Sequence, residues 1–148
     1  MNPKLNHIAI VVEDIDRALA VYGDAIGLPV ENVAEEPAEA VKVAYLPTAT
    51  GEIELIQPTT TDSGVAKYLA KKGEGLHHIC LEVEDIEAAT GRMVAQGMQV
   101  LGEVRTNKRG DKYIFIHPKS AHGVLIELYQ AAAVIPSASL TFGRSDRR

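Results

Sequence analysis

The sequence predicts an α+β fold of two tandem βαβββ modules that form a curled mixed sheet around a cleft. Three observations support this prediction. The phrase LNHIAIVVEDIDRA at 5–18 returns as LHHICLEVEDIEAA at 76–89, with eight of fourteen positions identical. The two halves also close alike, on GEIELIQ at 51–57 and GVLIELYQ at 123–130. Between these phrases, the apolar periodicity changes from strand to helix and back in the same order in both halves.

The composition fits one globular domain. The chain has 148 residues, of which 46% are hydrophobic, and its net charge of −5 argues against nucleic acid as the main partner. No apolar run is long enough to span a membrane, and the start MNPKLNHIAI lacks a signal-peptide pattern. A single cysteine excludes an internal disulfide framework and suits a reducing compartment. We therefore expect a cytoplasmic protein.

The first module, residues 3–58, begins with an alternating strand. The strand is predicted over 5–12, and Asp14 or its neighbour is expected to cap a helix that runs to about Ile26 and ends at Gly27. Three short runs follow that are rich in strand-forming residues. They predict strands over 29–35, 41–46 and 52–57.

The second module, residues 75–130, repeats this order. A strand over 76–83 precedes a helix over 85–96 that stops at Gly97. The three following strands are predicted over 99–104, 112–117 and 124–129. The modules are joined by a linker over 59–74 with a short helix at 65–72, and together they make a single domain over 3–130. Residues 131–148 are predicted to be a frayed C-terminal tail.

The alternation of side chains along a strand selects the candidate site residues. In the first strand, His7 points away from the apolar face that packs on the helix. In the repeated strand His78, and not its neighbour His77, occupies the equivalent position. The same test on the last strand of each module places Glu54 and Glu127 opposite the apolar face. Two histidines and two glutamates thus occupy two pairs of equivalent positions.

These four side chains predict a metal centre in the cleft between the modules. Two imidazoles and two carboxylates suit a divalent transition metal that keeps positions for water or substrate. Taken singly, a strand histidine or glutamate is far more often an ordinary surface or core residue. The paired repetition on the correct face favours a metal site formed by His7, Glu54, His78 and Glu127.

The pattern resembles the vicinal oxygen chelate superfamily, which comprises glyoxalases, bleomycin resistance proteins and dioxygenases. The shared features are the paired βαβββ units, the histidine in each first strand and the glutamate in each last strand. Within the superfamily, DSGVAKYLAKKGEGLHHI at 62–79 and HPKSAHGVLIEL at 117–128 are similar to epimerases of 2-substituted malonyl-CoA thioesters. The resemblance covers residues 5–130.

The resemblance implies a metal-dependent epimerase with a CoA thioester substrate and a homodimeric assembly. The metal would be Co, Mn, Ni, Zn or Fe, with Co favoured by the family. Two bases would exchange the α-proton through a metal-stabilised enolate. Some members have glutamine at the position of Glu54 and take a base from the preceding strand, where this chain has Lys42 and Val43. We therefore hypothesise that Glu54 and Glu127 serve as both ligands and bases.

Several polar residues are candidates to contact the polyanionic CoA arm. Lys119 and Ser120, in the motif HPKS, are the substrate-binding candidates that the resemblance favours. Further basic candidates are Lys71, Lys72, Lys108 and Arg109, and the loop over 105–112 is a candidate lid.

Other functions on the same scaffold fit less well. A glyoxalase I-type lactoylglutathione lyase has a similar four-ligand site. An extradiol dioxygenase needs two histidines and one carboxylate, which leaves the second glutamate unexplained. A metal-free small-molecule binding protein of this fold would not need all four ligand residues.

Overall fold

The structure, a computed structural model, describes residues 2–133. The predicted tail over 131–148 therefore lies outside the described residues from position 134 onward. The contacts within the chain define two units. We call residues 7–77 the N-terminal unit, and residues 2–6 together with 78–133 the C-terminal unit.

The N-terminal unit contains a four-stranded sheet and its helices. The elements of the first half of the chain are β1 (Lys4–Val11), α1 (Ile15–Leu19), β2 (Asn32–Glu36), β3 (Val41–Pro47), β4 (Glu52–Pro58) and α2 (Gly64–Lys72). The strand order is β2-β3-β4-β1, in which β1 is parallel to β4 and the other neighbours are antiparallel.

The C-terminal unit has the same topology. The elements of the second half are β5 (Gly75–Glu82), α3 (Ile86–Ala95), β6 (Val100–Thr106), β7 (Lys112–Ile116) and β8 (Ile126–Gln130). The strand order is β5-β8-β7-β6, in which β5 is parallel to β8 and the other neighbours are antiparallel. The α+β class and the two βαβββ modules are thus confirmed.

The first helix differs from the prediction in its second half. After one α-helical turn, a π-helical segment covers Ala20–Ala25, in which the Ile26 amide donates to the Val21 carbonyl oxygen at 2.8 Å. Gly23 lies in this segment, and glycine is a poor former of α-helix. The predicted stop holds, because Gly27 has a φ of 93° that favours glycine.

The helices begin at caps that the repeated phrases supply. The Asp14 side chain accepts hydrogen bonds from the amides of Asp16 and Arg17, and the Asp85 side chain accepts one from Ala88. A glutamine at the end of each closing phrase adds a second contact. Gln57 Oε1 accepts from the Ile15 amide at 2.9 Å, and Gln130 Oε1 accepts from the Ile86 amide at 2.8 Å. Each module thus ties its helix to the end of its last strand.

The N-terminal unit buries apolar residues on both faces of its sheet. One face packs on α1 through a cluster formed by Val12, Ile15, Ala44, Leu46 and Leu55. The other face packs on α2, through Ala9, Val11, Val41, Val43, Tyr45 and Ile56 against Val65, Tyr68 and Leu69. The short helix predicted in the linker is therefore part of the core of this unit.

The C-terminal unit has one apolar cluster, between its sheet and α3. Its buried members are Ile86, Ala89, Ile114, Ile116 and Leu128. None of the helices within residues 2–133 is long and apolar enough to cross a membrane.

Replacing either capping glutamine should destabilise the fold. In Gln57→Ala or Gln130→Ala, the first amide of the helix loses its acceptor in a half-buried position. We expect a loss of about 1–2 kcal/mol in the free energy of unfolding, measured by urea denaturation. The exposed Gln99→Ala is the control and should change stability by less than about 0.5 kcal/mol. Equal stabilities of all three variants would refute the capping role.

Candidate metal centre

In the N-terminal unit, the parallel pair of β1 and β4 brings His7 to Glu54. The register pairs His7 with Glu52 and Ala9 with Glu54, so all four side chains lie on one face of the sheet. The distance from His7 Nδ1 to Glu54 Oε2 is 3.2 Å. Both residues are buried, with 2% and 0% of their surface exposed. An imidazole nitrogen and a carboxylate oxygen thus lie side by side in the interior.

In the C-terminal unit, the parallel pair of β5 and β8 brings His78 to Glu127. Cys80, two residues after His78, is the register partner of Glu127, as Ala9 is of Glu54. The distance from His78 Nε2 to Glu127 Oε1 is again 3.2 Å, and both side chains are buried. The two His–Glu pairs therefore repeat each other in strand position and separation, although one ring presents Nδ1 and the other Nε2.

The separation within each pair fits two ligands of one metal ion. With metal–ligand bonds of about 2.1 Å, adjacent ligands of an octahedral site lie about 3.0 Å apart, and those of a tetrahedral site slightly farther. Neutral imidazole and carboxylate are also the donors that divalent transition metals accept readily. Each pair can therefore offer two of the positions of a mixed nitrogen and oxygen site.

The neighbouring histidine, His77, lies in a different environment from His78. His77 is half-buried, and its ring packs edge-on against Tyr68 with centroids 4.7 Å apart. The ring of His78 instead packs edge-on against Phe115, at 5.5 Å. Phe115 is also the register partner of Glu127, so it borders both members of the pair.

The two predicted substrate-binding residues have structural contacts in a 3₁₀ turn over Pro118–Ser120. Ser120 Oγ accepts a hydrogen bond from the Gln99 amide at 2.7 Å, which ties the turn to the chain just before β6. The Lys119 side chain is exposed, and the Lys119 amide donates to His117 Nδ1.

The strand that precedes Glu54 offers no carboxylate at positions 42 and 43. Val43 is fully buried in the apolar cluster that faces α2, and Lys42 pairs in register with Gln57. No acidic group at these two positions is therefore available to act as the base in place of Glu54.

Three features near the pairs escaped the sequence analysis. Glu52 is a further buried carboxylate, 2% exposed, and is the register partner of His7. Applying the alternation test two residues before Glu54 would have revealed it. The hydroxyl of Tyr45, the register partner of Glu54, donates to Glu36 Oε1 at 3.0 Å. This contact and that of Phe115 depend on strand pairing, which gives no local sequence signal.

Comparison with known proteins agrees with the fold. Residues 6–115 match the family described as Glyoxalase/Bleomycin resistance protein/Dioxygenase superfamily. The ethylmalonyl-CoA/methylmalonyl-CoA epimerase of Cereibacter sphaeroides is 40% identical over 130 residues, which cover 86% of this chain and 97% of that protein. The human mitochondrial methylmalonyl-CoA epimerase is 38% identical over 130 residues, covering 86% of this chain and 74% of that protein.

Solved structures give the same picture. A methylmalonyl-CoA epimerase in complex with methylmalonyl-CoA and NH4+ superposes with a TM-score of 0.80. The two chains are 35% identical, and the match covers 90% of this chain and 98% of that one.

The protein belongs to the glyoxalase/bleomycin resistance protein/dioxygenase superfamily. Within that superfamily, the relatives and the solved structure described above are methylmalonyl-CoA epimerases, which is the branch that the motifs at 62–79 and 117–128 indicated.

The two adjacent histidines give a matched test of the metal centre. We expect His78→Ala to weaken Co2+ binding by at least about a hundredfold, since losing only an outer partner of a metal ligand costs 10–100-fold. His77→Ala removes a ring that packs against Tyr68, and its affinity for Co2+ should stay within about twofold of that of the wild type. Metal content after dialysis and Co2+ titration measure both, with circular dichroism to verify folding. Equal binding by the two variants would contradict the assignment of His78.

Proposed function

We propose that this protein interconverts (2R)- and (2S)-methylmalonyl-CoA. The observation that carries the proposal is the presence of one buried His–Glu pair in each unit, at equivalent positions of equivalent strands. The relatives match most of this chain and are epimerases of methylmalonyl-CoA, one of them also of ethylmalonyl-CoA. They support the same substrate class. Ethylmalonyl-CoA is therefore a second substrate to test.

We further propose that His7, Glu54, His78 and Glu127 hold a divalent metal ion. Enzymes of this superfamily commonly use such ions, and the nitrogen and oxygen donors suit Co, Mn, Ni, Zn or Fe, with Co favoured by the family. When bound, the ion would act as a Lewis acid and stabilise the negative charge that develops on the thioester oxygen.

The proton transfer itself is assigned to the two glutamates. Epimerisation removes the acidic proton at C2 and returns one to the opposite face of the same carbon. One carboxyl group must therefore be ionised to accept the proton while the other is protonated to donate one. Glu54 and Glu127 supply one such group from each unit, so reversing their protonation states allows the reaction to run from either epimer.

The surroundings of each glutamate keep bulk water away from the exchanging proton. Glu127 is 2% exposed and is bordered by the Phe115 ring, and Glu54 is fully buried beside Tyr45. A low local dielectric strengthens the interaction of a carboxylate with the charges that form during the reaction. Each histidine nitrogen lies 3.2 Å from an oxygen of its glutamate, a separation at which both side chains can bind the same ion.

We propose a homodimer in the cytoplasm, from the family resemblance and from the single cysteine, Cys80, which is buried. Neither of these two properties is needed for the chemistry assigned to the glutamates.

The base assignment is tested by hydrogen exchange at C2. Glu127→Gln keeps the shape of the side chain but cannot accept the proton, so we expect loss of solvent deuterium exchange with at least one epimer. Proton NMR of separate (2R)- and (2S)-methylmalonyl-CoA in D2O measures the exchange. Glu103→Gln, an exposed glutamate of β6 in the same unit, is the control and should exchange both epimers like the wild type.

Wild-type exchange of both epimers by Glu127→Gln would contradict the assignment. A parallel assay with the hemithioacetal of methylglyoxal and glutathione distinguishes the lactoylglutathione lyase reaction from epimerisation. Turnover of the hemithioacetal, with no epimerisation of either CoA thioester, would replace the proposed function.

A further inference from the structure

A second polar network in the C-terminal unit lies on the hairpin between β6 and β7. Its centre is Asp111, which is 3% exposed. The Tyr129 hydroxyl donates to Asp111 Oδ2, and the Ala132 amide donates to Asp111 Oδ1 at 2.8 Å. Asp111 therefore fastens the hairpin to the end of β8, the strand that carries Glu127.

The tip of the hairpin is closed by its own hydrogen bonds. Asn107 Oδ1 accepts from the amides of Arg109 and Asp111, both at 3.0 Å. The backbone amide of Asn107 donates to the backbone carbonyl oxygen of Asp111 at 2.9 Å, and Gly110 provides the positive φ of 86° that the turn requires. The candidate lid over 105–112 thus has a tip that its own hydrogen bonds close.

The fastened hairpin presents several cations. Residues 105–112 include Arg105, Lys108, Arg109 and Lys112, whereas the single carboxylate, Asp111, is buried in the network. Arg105 and Lys108 are exposed and Arg109 is half-buried. The Lys112 side chain is 3.4 Å from Glu87, and the Arg105 guanidinium lies 5.2 Å from the ring centroid of Tyr113.

The strand β7 connects these cations to the His–Glu pair of the same unit. Tyr113 and Phe115 lie on the same face, and Phe115 contacts the ring of His78 and pairs with Glu127. Lys112 and Phe115 are three residues apart, or about 10 Å at 3.3 Å per residue. An extended thioester arm whose reacting carbon lies at Glu127 can therefore run along this strand to the hairpin.

We propose that the hairpin over 105–112 binds the phosphate groups of the CoA arm, and that Asp111 is the positioning residue that holds it in place. This inference rests on the proposed function, because it assumes a CoA thioester at Glu127. Arginine and lysine are the usual phosphate partners, and a loop that is already ordered loses little entropy when it binds.

Reversing the charge of two cationic side chains on the hairpin tests the proposed contact with the CoA phosphates. For Lys108→Glu/Arg109→Glu, we expect KM for methylmalonyl-CoA to rise about tenfold at low salt with kcat unchanged, and the difference to shrink as salt screens the charges. For the N-acetylcysteamine thioester of methylmalonate, which lacks all phosphates, KM should equal that of the wild type. The matched control Arg17→Glu/Lys67→Glu reverses two exposed cations on α1 and α2 and should leave both KM values unchanged.

Asp111→Asn tests the positioning role. It should raise KM for methylmalonyl-CoA but not for the truncated thioester, and it should speed amide hydrogen exchange over 105–112. An equal rise in KM for both thioesters would show that the hairpin acts on the reacting centre instead. Wild-type kinetics in both the Asp111 and the double variant would overturn the inference.

A binding measurement separates this inference from the proposed function. If the wild-type protein turns over neither thioester, the proposed epimerase function is refuted. Calorimetric titration with free coenzyme A still tests the hairpin, because the wild type should then bind about tenfold more tightly than Lys108→Glu/Arg109→Glu. Absence of coenzyme A binding, or equal binding by the two proteins, would overturn the hairpin site.

Discussion

Each unit is arranged around one contact, a buried imidazole beside a buried carboxylate. Such a pair is stable only if the strands that carry it are held in one register, because a slip of either strand by one residue moves its side chain to the opposite face, away from its partner. The parallel pairs of β1 with β4 and β5 with β8 set that register. The helix of each module follows the first strand of the pair, and a glutamine at the end of the other strand caps it. The repeated sequence segments therefore form the strands and helix caps that hold the His–Glu pair in position.

The two pairs are equivalent in backbone position but differ in the side chains beside the glutamates. Glu54 lies next to Tyr45, with the further carboxylate of Glu52 on the same face, whereas Glu127 lies next to Phe115. Two carboxyl groups in different surroundings suit a reaction in which one is ionised while the other is protonated. The two bases that we propose thus come from a repeated fold, and the differences between the repeats give their carboxyl groups different surroundings.

Much of this arrangement was readable in the sequence because it depends on local patterns. The repeat predicted the module order, aspartate and glycine predicted the helix ends, and alternation distinguished His78 from His77. The packing of α2 on the N-terminal unit and the contacts of Glu52, Tyr45 and Phe115 were not predicted. They depend on which strands become neighbours and in what register, and residues far apart in the chain carry no periodic signal of such pairing. The hydrogen bond that the Ser120 hydroxyl accepts from the Gln99 amide was not predicted either, for the same reason.

The central claim is that a divalent metal and two glutamates together exchange the proton at C2. The most direct measurement is proton NMR of (2R)- and (2S)-methylmalonyl-CoA in D2O, with wild-type protein before and after treatment with a chelator. The account predicts exchange and interconversion of both epimers, loss of both after chelation, and recovery on adding Co2+. Full exchange by protein shown to be free of metal would contradict it.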